Sequence, residues 1–141
     1  MIVATVICTA ILIFAASFHF YWGFGGQVGL RASLPQKIDS TLVFRPATVG
    51  AHGVGLALLI ACAFILAYAG LIELPVPRFL VKSIVVLLAV IFYVRAFGWF
   101  QYAGLFKKVR NTTFGLYDTY FYCPLFIVLA LGLTYVLSNA P

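Results

Sequence analysis

Four long apolar runs, separated by polar connections, decide most of what this chain can become. They cover about Ile2 to Trp22, Thr48 to Ile72, Phe79 to Ala103 and Asp118 to Ser138. Each is long enough to cross a bilayer core of about 30 Å, which takes about 20 helical residues. Inside lipid every backbone N–H and C=O needs an internal partner, so isolated spans of this kind are helices. The expected fold is all-α: an integral membrane bundle of four antiparallel helices, one transmembrane domain over residues 1–141. Composition agrees, because 65% of the residues are hydrophobic and only 9% charged. A soluble domain carries about 25% charged residues, so most of this surface has to face lipid.

Within that frame the details of each run matter. The first run lacks the positively charged flank of a secretory signal and reads as a retained helix. Pro46 precedes the second run, as prolines do near helix starts. Pro124 falls early in the fourth. A helix starting only there would fall short of the membrane thickness, so the residues before it are expected to enter the bilayer too, with a kink. Glu73-Leu-Pro-Val-Pro-Arg78 is a tight connection that its prolines keep from being wholly helical. In the first loop, Ser40 to Phe44 has the pattern of a short interfacial segment.

The formal charge of +6 is not the footprint of a nucleic-acid-binding protein. Few basic residues are present, and they sit in loops, where membrane orientation and anionic headgroups explain them. Arg31, Lys37, Arg45, Lys107, Lys108 and Arg110 belong to loops one and three. Arg78 and Lys82 flank the opposite side. The positive-inside rule then puts both long loops in the cytoplasm and both termini outside. Cys8, Cys62 and Cys123 are far apart with no C-x-x-C pair, which argues against a thiol oxidoreductase and for buried thiols acting as small hydrophobes.

Antiparallel connectivity gathers the polar residues of the four helices at one end. Helix one brings His19, Tyr21 and Trp22, and helix two brings His52. Helix three brings Arg95, Trp99, Gln101 and Tyr102, and helix four Tyr117, Asp118, Tyr120 and Tyr122. The outer ends hold little that compares. Arg95 lies about 6 Å from its helix midpoint at 1.5 Å per residue, and a lone arginine at such depth costs about 2.5 kcal/mol or more. It therefore needs an acceptor. Asp118 is the natural one, as a clamp between helices three and four, although the same carboxylate competes as the N-cap of helix four. The guanidinium is also suited to an anionic headgroup, or to snorkelling.

His19 and His52 have two kinds of reading. Each can simply hydrogen-bond within the helix packing, with Gly50, Gly53 and Gly55 forming a small-residue seam beside His52. Acting together, they could ligate a b-type haem, or join Asp118 in a three-ligand metal site, though no metal-binding motif supports either. The aromatic density of this end is either an interfacial belt or the wall of a pocket for a hydrophobic ligand.

Two blocks carry a resemblance. His19-Phe-Tyr-Trp-Gly-Phe-Gly-Gly26 is one. Arg95-Ala-Phe-Gly-Trp-Phe-Gln-Tyr-Ala-Gly-Leu-Phe-Lys107, followed by Thr113-Phe114, Asp118 and Tyr122-Cys-Pro-Leu125, is the other. Together with the four-helix layout they resemble domain-of-unknown-function family 3995, small membrane proteins of bacteria. The resemblance implies the membrane fold and a bacterial inner-membrane location, and it brings no activity. Cys123 stands where a small residue such as serine is expected.

The leading expectation is a binding role for a small hydrophobic or lipid-like molecule at the cytoplasmic end. The expected lining is His19, Trp22, His52, Arg95, Trp99 and Tyr102, with Asp118 orienting Arg95. The rival expectations are an accessory or homo-oligomeric subunit of a membrane complex, packing through the glycine seam, and a membrane enzyme or haem protein using the two histidines.

Overall fold

The computed structural model describes residues 1–98 and 101–140. Helix α1 spans Ile2–Gly23 and a single turn α2 spans Leu30–Ser33; α3 spans Thr48–Tyr68 and α4 Arg78–Phe97. Then α5, Thr113–Tyr117, runs through a π-helical turn at Asp118–Tyr122 into α6, Cys123–Asn139. Four helical stretches are long and apolar enough to cross a membrane, the last being Thr113–Asn139 taken as one. At 1.5 Å per residue the 20 residues of α4 already cover about 30 Å.

The molecule is an all-α membrane bundle. The α1/α3 and α4/α6 pairs pack side by side, and α1–α6 and α3–α4 contacts close the ring. Its interior holds Cys8 and Leu12 from α1, Cys62 and Ile65 from α3, Val85 and Phe92 from α4, and Leu129 and Leu133 from α6. Val3, Phe14, Val54, Leu87, Val90 and Leu131 point outward. Such a surface suits hydrocarbon and would be untenable in water. The buried threonines of α1 are satisfied within their own helix: Thr9 Oγ1 donates to the Thr5 carbonyl at 2.8 Å and Thr5 Oγ1 to the Met1 carbonyl at 3.2 Å. The Tyr68 hydroxyl reaches the Leu137 carbonyl at 3.4 Å, so this tyrosine serves the core rather than an outer aromatic belt.

The ends of three spans differ from the hydropathy boundaries. The second helix stops at Tyr68 rather than near residue 72. Gly70 there takes φ +74, and the Leu71 N–H closes back on the Leu66 carbonyl at 2.9 Å, a glycine-dependent helix stop. The third helix stops at Phe97 rather than near residue 103, where Gly98 adopts φ +91. Hydropathy could not show this, because the residues beyond are as apolar and aromatic as those before. The fourth helix starts at Thr113, before Asp118. Its cap is Thr112, whose hydroxyl accepts from the Gly115 N–H at 3.0 Å, so Asp118 is free of the capping role.

Just before Pro124, where a kink is expected, the helix carries a π-turn at Asp118–Tyr122. Proline has no N–H and its ring crowds the carbonyl four residues earlier. Widening the turn by one residue, with the Cys123 N–H donating to the Asp118 carbonyl, lets the helix pass this point without breaking.

The first loop is folded over the helix ends. Gln36 and Leu42 form an isolated antiparallel bridge around a turn at residues 37–41. Buried Gln36 also accepts from the Phe114 N–H at 3.5 Å, tying this loop to the first turn of α5. The Gly50–Gly55 seam divides in two. Gly55 packs so closely on Phe20 that a Cβ would lie 3.0 Å from its ring, whereas a Cβ on Gly50 or Gly53 would meet nothing.

Candidate functional site

The end of the bundle that carries the polar residues contains three separate arrangements. The first is built on Asp118, which the π-turn aims between α4 and the segment after it. Its Oδ1 accepts from Arg95 Nη2 at 2.7 Å. Its Oδ2 accepts from the Gly104 backbone N–H at 2.8 Å and faces Lys107 Nζ at 3.1 Å, with the Cys123 thiol at 3.6 Å. Asp118 and Lys107 are both fully buried, while the Arg95 side chain keeps 28% of its surface. The clamp expected between helices three and four is present.

Lys107 is the residue that sequence reasoning missed, having counted it as a loop cation that marks the cytoplasmic side. It reaches the interior because the chain folds back under α4. Gly98 and Gly104, both at positive φ, bring their backbones into direct contact. The Leu105 and Phe106 N–H groups then donate to the last-turn carbonyls of Ala96 and Phe97 at 2.9 and 3.0 Å. The ammonium has three donors, and three acceptors meet it: Asp118 Oδ2, Thr119 Oγ1 at 2.6 Å and the Gly104 carbonyl at 3.2 Å. Arg110 braces the same turn through the Lys107 and Leu105 carbonyls. Hydropathy alone holds no trace of this; the nearest signal is that Lys107 closes the second block of the family resemblance.

The second arrangement holds the histidines. His52 lies between Phe20 and Phe24, ring centroids 5.8 and 4.7 Å away, and presses on Gly23 so tightly that any side chain there would collide with its ring. His19 instead contacts Trp22 at 5.2 Å. Each Nδ1 lies against the carbonyl four residues back in its own helix, Ala15 at 2.8 Å and Thr48 at 2.9 Å. A carbonyl only accepts, so Nδ1 carries the hydrogen in both rings. Among the described residues no three His, Cys, Asp or Glu side chains gather as metal ligands; Asp118, committed to Arg95 and Lys107, is not joined to the histidines. The three-ligand expectation is therefore corrected.

The third arrangement is a half-open cleft of about 1080 Å³ between the end of α1, the folded first loop and the start of α3. Trp22, Leu42 and Phe44 supply apolar wall, and Arg31, Arg45 and Thr48 polar wall. Trp22 is fixed by its Nε1–H, which donates to the Val28 carbonyl at 2.9 Å. On the far wall the Thr41 hydroxyl and amide donate to Asp39 and hold its carboxyl below the usual carboxylate range. The cleft thus has two guanidinium groups and one carboxylate. Of the expected lining residues Trp22 belongs to it, while His19, His52, Arg95, Tyr102 and Asp118 do not. Tyr102 lies half-buried in the turn after α4, and Trp99 lies outside the described residues.

A family model described as a protein of unknown function, DUF3995, matches residues 11–133. No curated protein matches the chain. No solved structure matches it either.

The burial of Lys107 has a direct consequence. Lys107→Met is expected to destabilise the protein by about 3 kcal/mol or more, the cost of stripping one partner from a buried ion pair. Lys108→Met, next to it but exposed, is expected to shift stability by less than about 0.5 kcal/mol. Thermal unfolding of the two variants in detergent checks the contrast.

Proposed function

The chain belongs to the DUF3995 family, which carries no activity with it, so we propose a function from its own geometry: binding of an anionic amphiphile at the membrane surface. The observation that carries this reading is the cleft of about 1080 Å³ with a mixed lining, just above the roughly 300–1,000 Å³ of small-molecule sites. It lies where α1 ends and α3 begins, at the edge of the hydrocarbon layer. A molecule with an apolar chain and a negative head matches that position. The chain would lie along Trp22, Leu42 and Phe44, and the head between Arg31 and Arg45, whose planar forks suit carboxylate or phosphate. This keeps the lipid-like ligand expected from the sequence and moves it from the histidines and Arg95 to the folded first loop.

In the same reading the cleft faces the cytoplasm. Arg31, Lys37, Arg45, Lys108 and Arg110 stay with the loop side, against Arg78 and Lys82 on the other. Withdrawing the buried Lys107 from the count leaves the asymmetry standing. Alkaline phosphatase fused after Pro141 is expected to be active, since it folds only outside the cytoplasm; an inactive, stably expressed fusion would reverse the orientation.

Trp22 makes the binding measurable. In a Trp99→Phe background, Trp22 is the single tryptophan, and a brominated fatty acid is expected to quench it saturably. Arg31→Gln/Arg45→Gln should raise the half-saturation concentration about thirtyfold, at about 1 kcal/mol per basic residue. His19→Ala and His52→Ala should leave it unchanged. Quenching that never saturates, or that ignores both arginines, would sink the reading.

A further inference from the structure

The Arg95–Asp118–Lys107 cluster holds two cations and one carboxylate, all within or under the membrane-crossing helices. One positive charge is left over, and the geometry says where it resides. Lys107 is sealed, with each of its three hydrogens matched to an acceptor. Arg95 is different. Nη2 serves Asp118, while Nη1 is buried and has no hydrogen-bond partner among the described residues. The guanidinium carbon lies 4.8 Å from the Phe126 ring centre and 5.9 Å from that of Phe114, contacts that offset part of the charge. Its side chain, alone of the three, keeps an exposed part, at 28%. Nη1 itself is covered, so an anion meets the guanidinium through that exposed part and reaches Nη1 only after a shift of the side chain.

Arg95 is two residues from the end of α4, about 3 Å below the helix terminus. At that level in a bilayer the abundant anion is the phosphate of a lipid headgroup, and basic pockets between transmembrane helices on the cytoplasmic side take such headgroups. We infer that Arg95 is a phosphate-binding site. It would seat one anionic phospholipid against α4 and α6, with Asp118 holding the guanidinium in place and Phe126 and Phe114 backing it. The site is separate from the cleft of the first loop and does not depend on the function proposed for that cleft.

The test uses full-length protein in the Arg31→Gln/Arg45→Gln background, so that the cleft contributes nothing. Native mass spectrometry in detergent, with phosphatidylglycerol or phosphatidylcholine of the same chains, reads lipid retention. One phosphatidylglycerol per chain is expected, retained about fivefold over phosphatidylcholine. The preference should vanish in Arg95→Gln and in Arg95→Met. Asp118 keeps Lys107 and the Gly104 N–H in both variants, so neither strands a buried carboxylate; circular dichroism checks the helices. Inorganic phosphate that displaces the lipid and adds its own mass would support the phosphate site and name the free ion as its source. Equal retention of the two lipids by the Arg95-containing protein would overturn the inference. So would a preference that survives in either folded variant.

Discussion

One buried carboxylate sets the geometry of the loop-side end of this protein. Asp118 is the single acidic residue within the four spans, and it joins α4 through Arg95, the following turn through Gly104 and Lys107, and α6 through its own backbone. Buried ion pairs contribute little net stability when weighed against a well-packed apolar alternative, because desolvation cancels much of the attraction. What the pair does fix is position. Because α4 ends at Phe97, Arg95 lies about 11 Å from the helix midpoint rather than the about 6 Å expected from the longer run. Even in this last turn, walled by Phe114 and Phe126, the guanidinium meets its acid in a single arrangement of α4, the fold-back turn and the π-turn. The apolar core by itself would tolerate sliding of one lipid-coated helix along another, since lipid tails and leucine side chains are alike in polarity.

From that anchor the division of labour at this end follows. The α4/α6 side is held by charge and closed over by the turn at Gly98 and Gly104. The α1/α3 side is held by shape, with Gly23 under His52 and Gly55 under Phe20. The first loop, bridged at Gln36 and Leu42 and tied to α5 through Phe114, lies across the helix ends and leaves the cleft between itself and the start of α3. The histidines are packing residues in this scheme, each with its Nδ1–H given to its own helix.

The four spans, their antiparallel order and the Arg95–Asp118 pair were legible in the sequence. They follow from hydropathy, from length and from the cost of an unpaired charge, none of which depends on how a helix is rotated. What was not legible does depend on rotation or on chain reversal. His19, His52 and Arg95 share one end of the molecule, yet they face three different neighbours, and a single sequence fixes no azimuth. Lys107 reads as a solvated loop lysine until the backbone turns it inward, and that reversal rests on two glycines whose φ angles no hydropathy scale reports. The continuation of helix four through Pro124 was readable; its π-turn was not, because only the carbonyl geometry reveals it.

The organising role of Asp118 is tested most directly by a double-mutant cycle of Arg95→Gln and Asp118→Asn, read from unfolding free energies in detergent. A coupling of about 2 kcal/mol or more is expected, with the double variant losing less than the two single losses combined. A coupling near zero would mean that the two charges are held apart or solvated in the membrane. Asp118 would then hold only the fold-back turn, through Lys107 and Gly104, and the clamp on α4 would be absent.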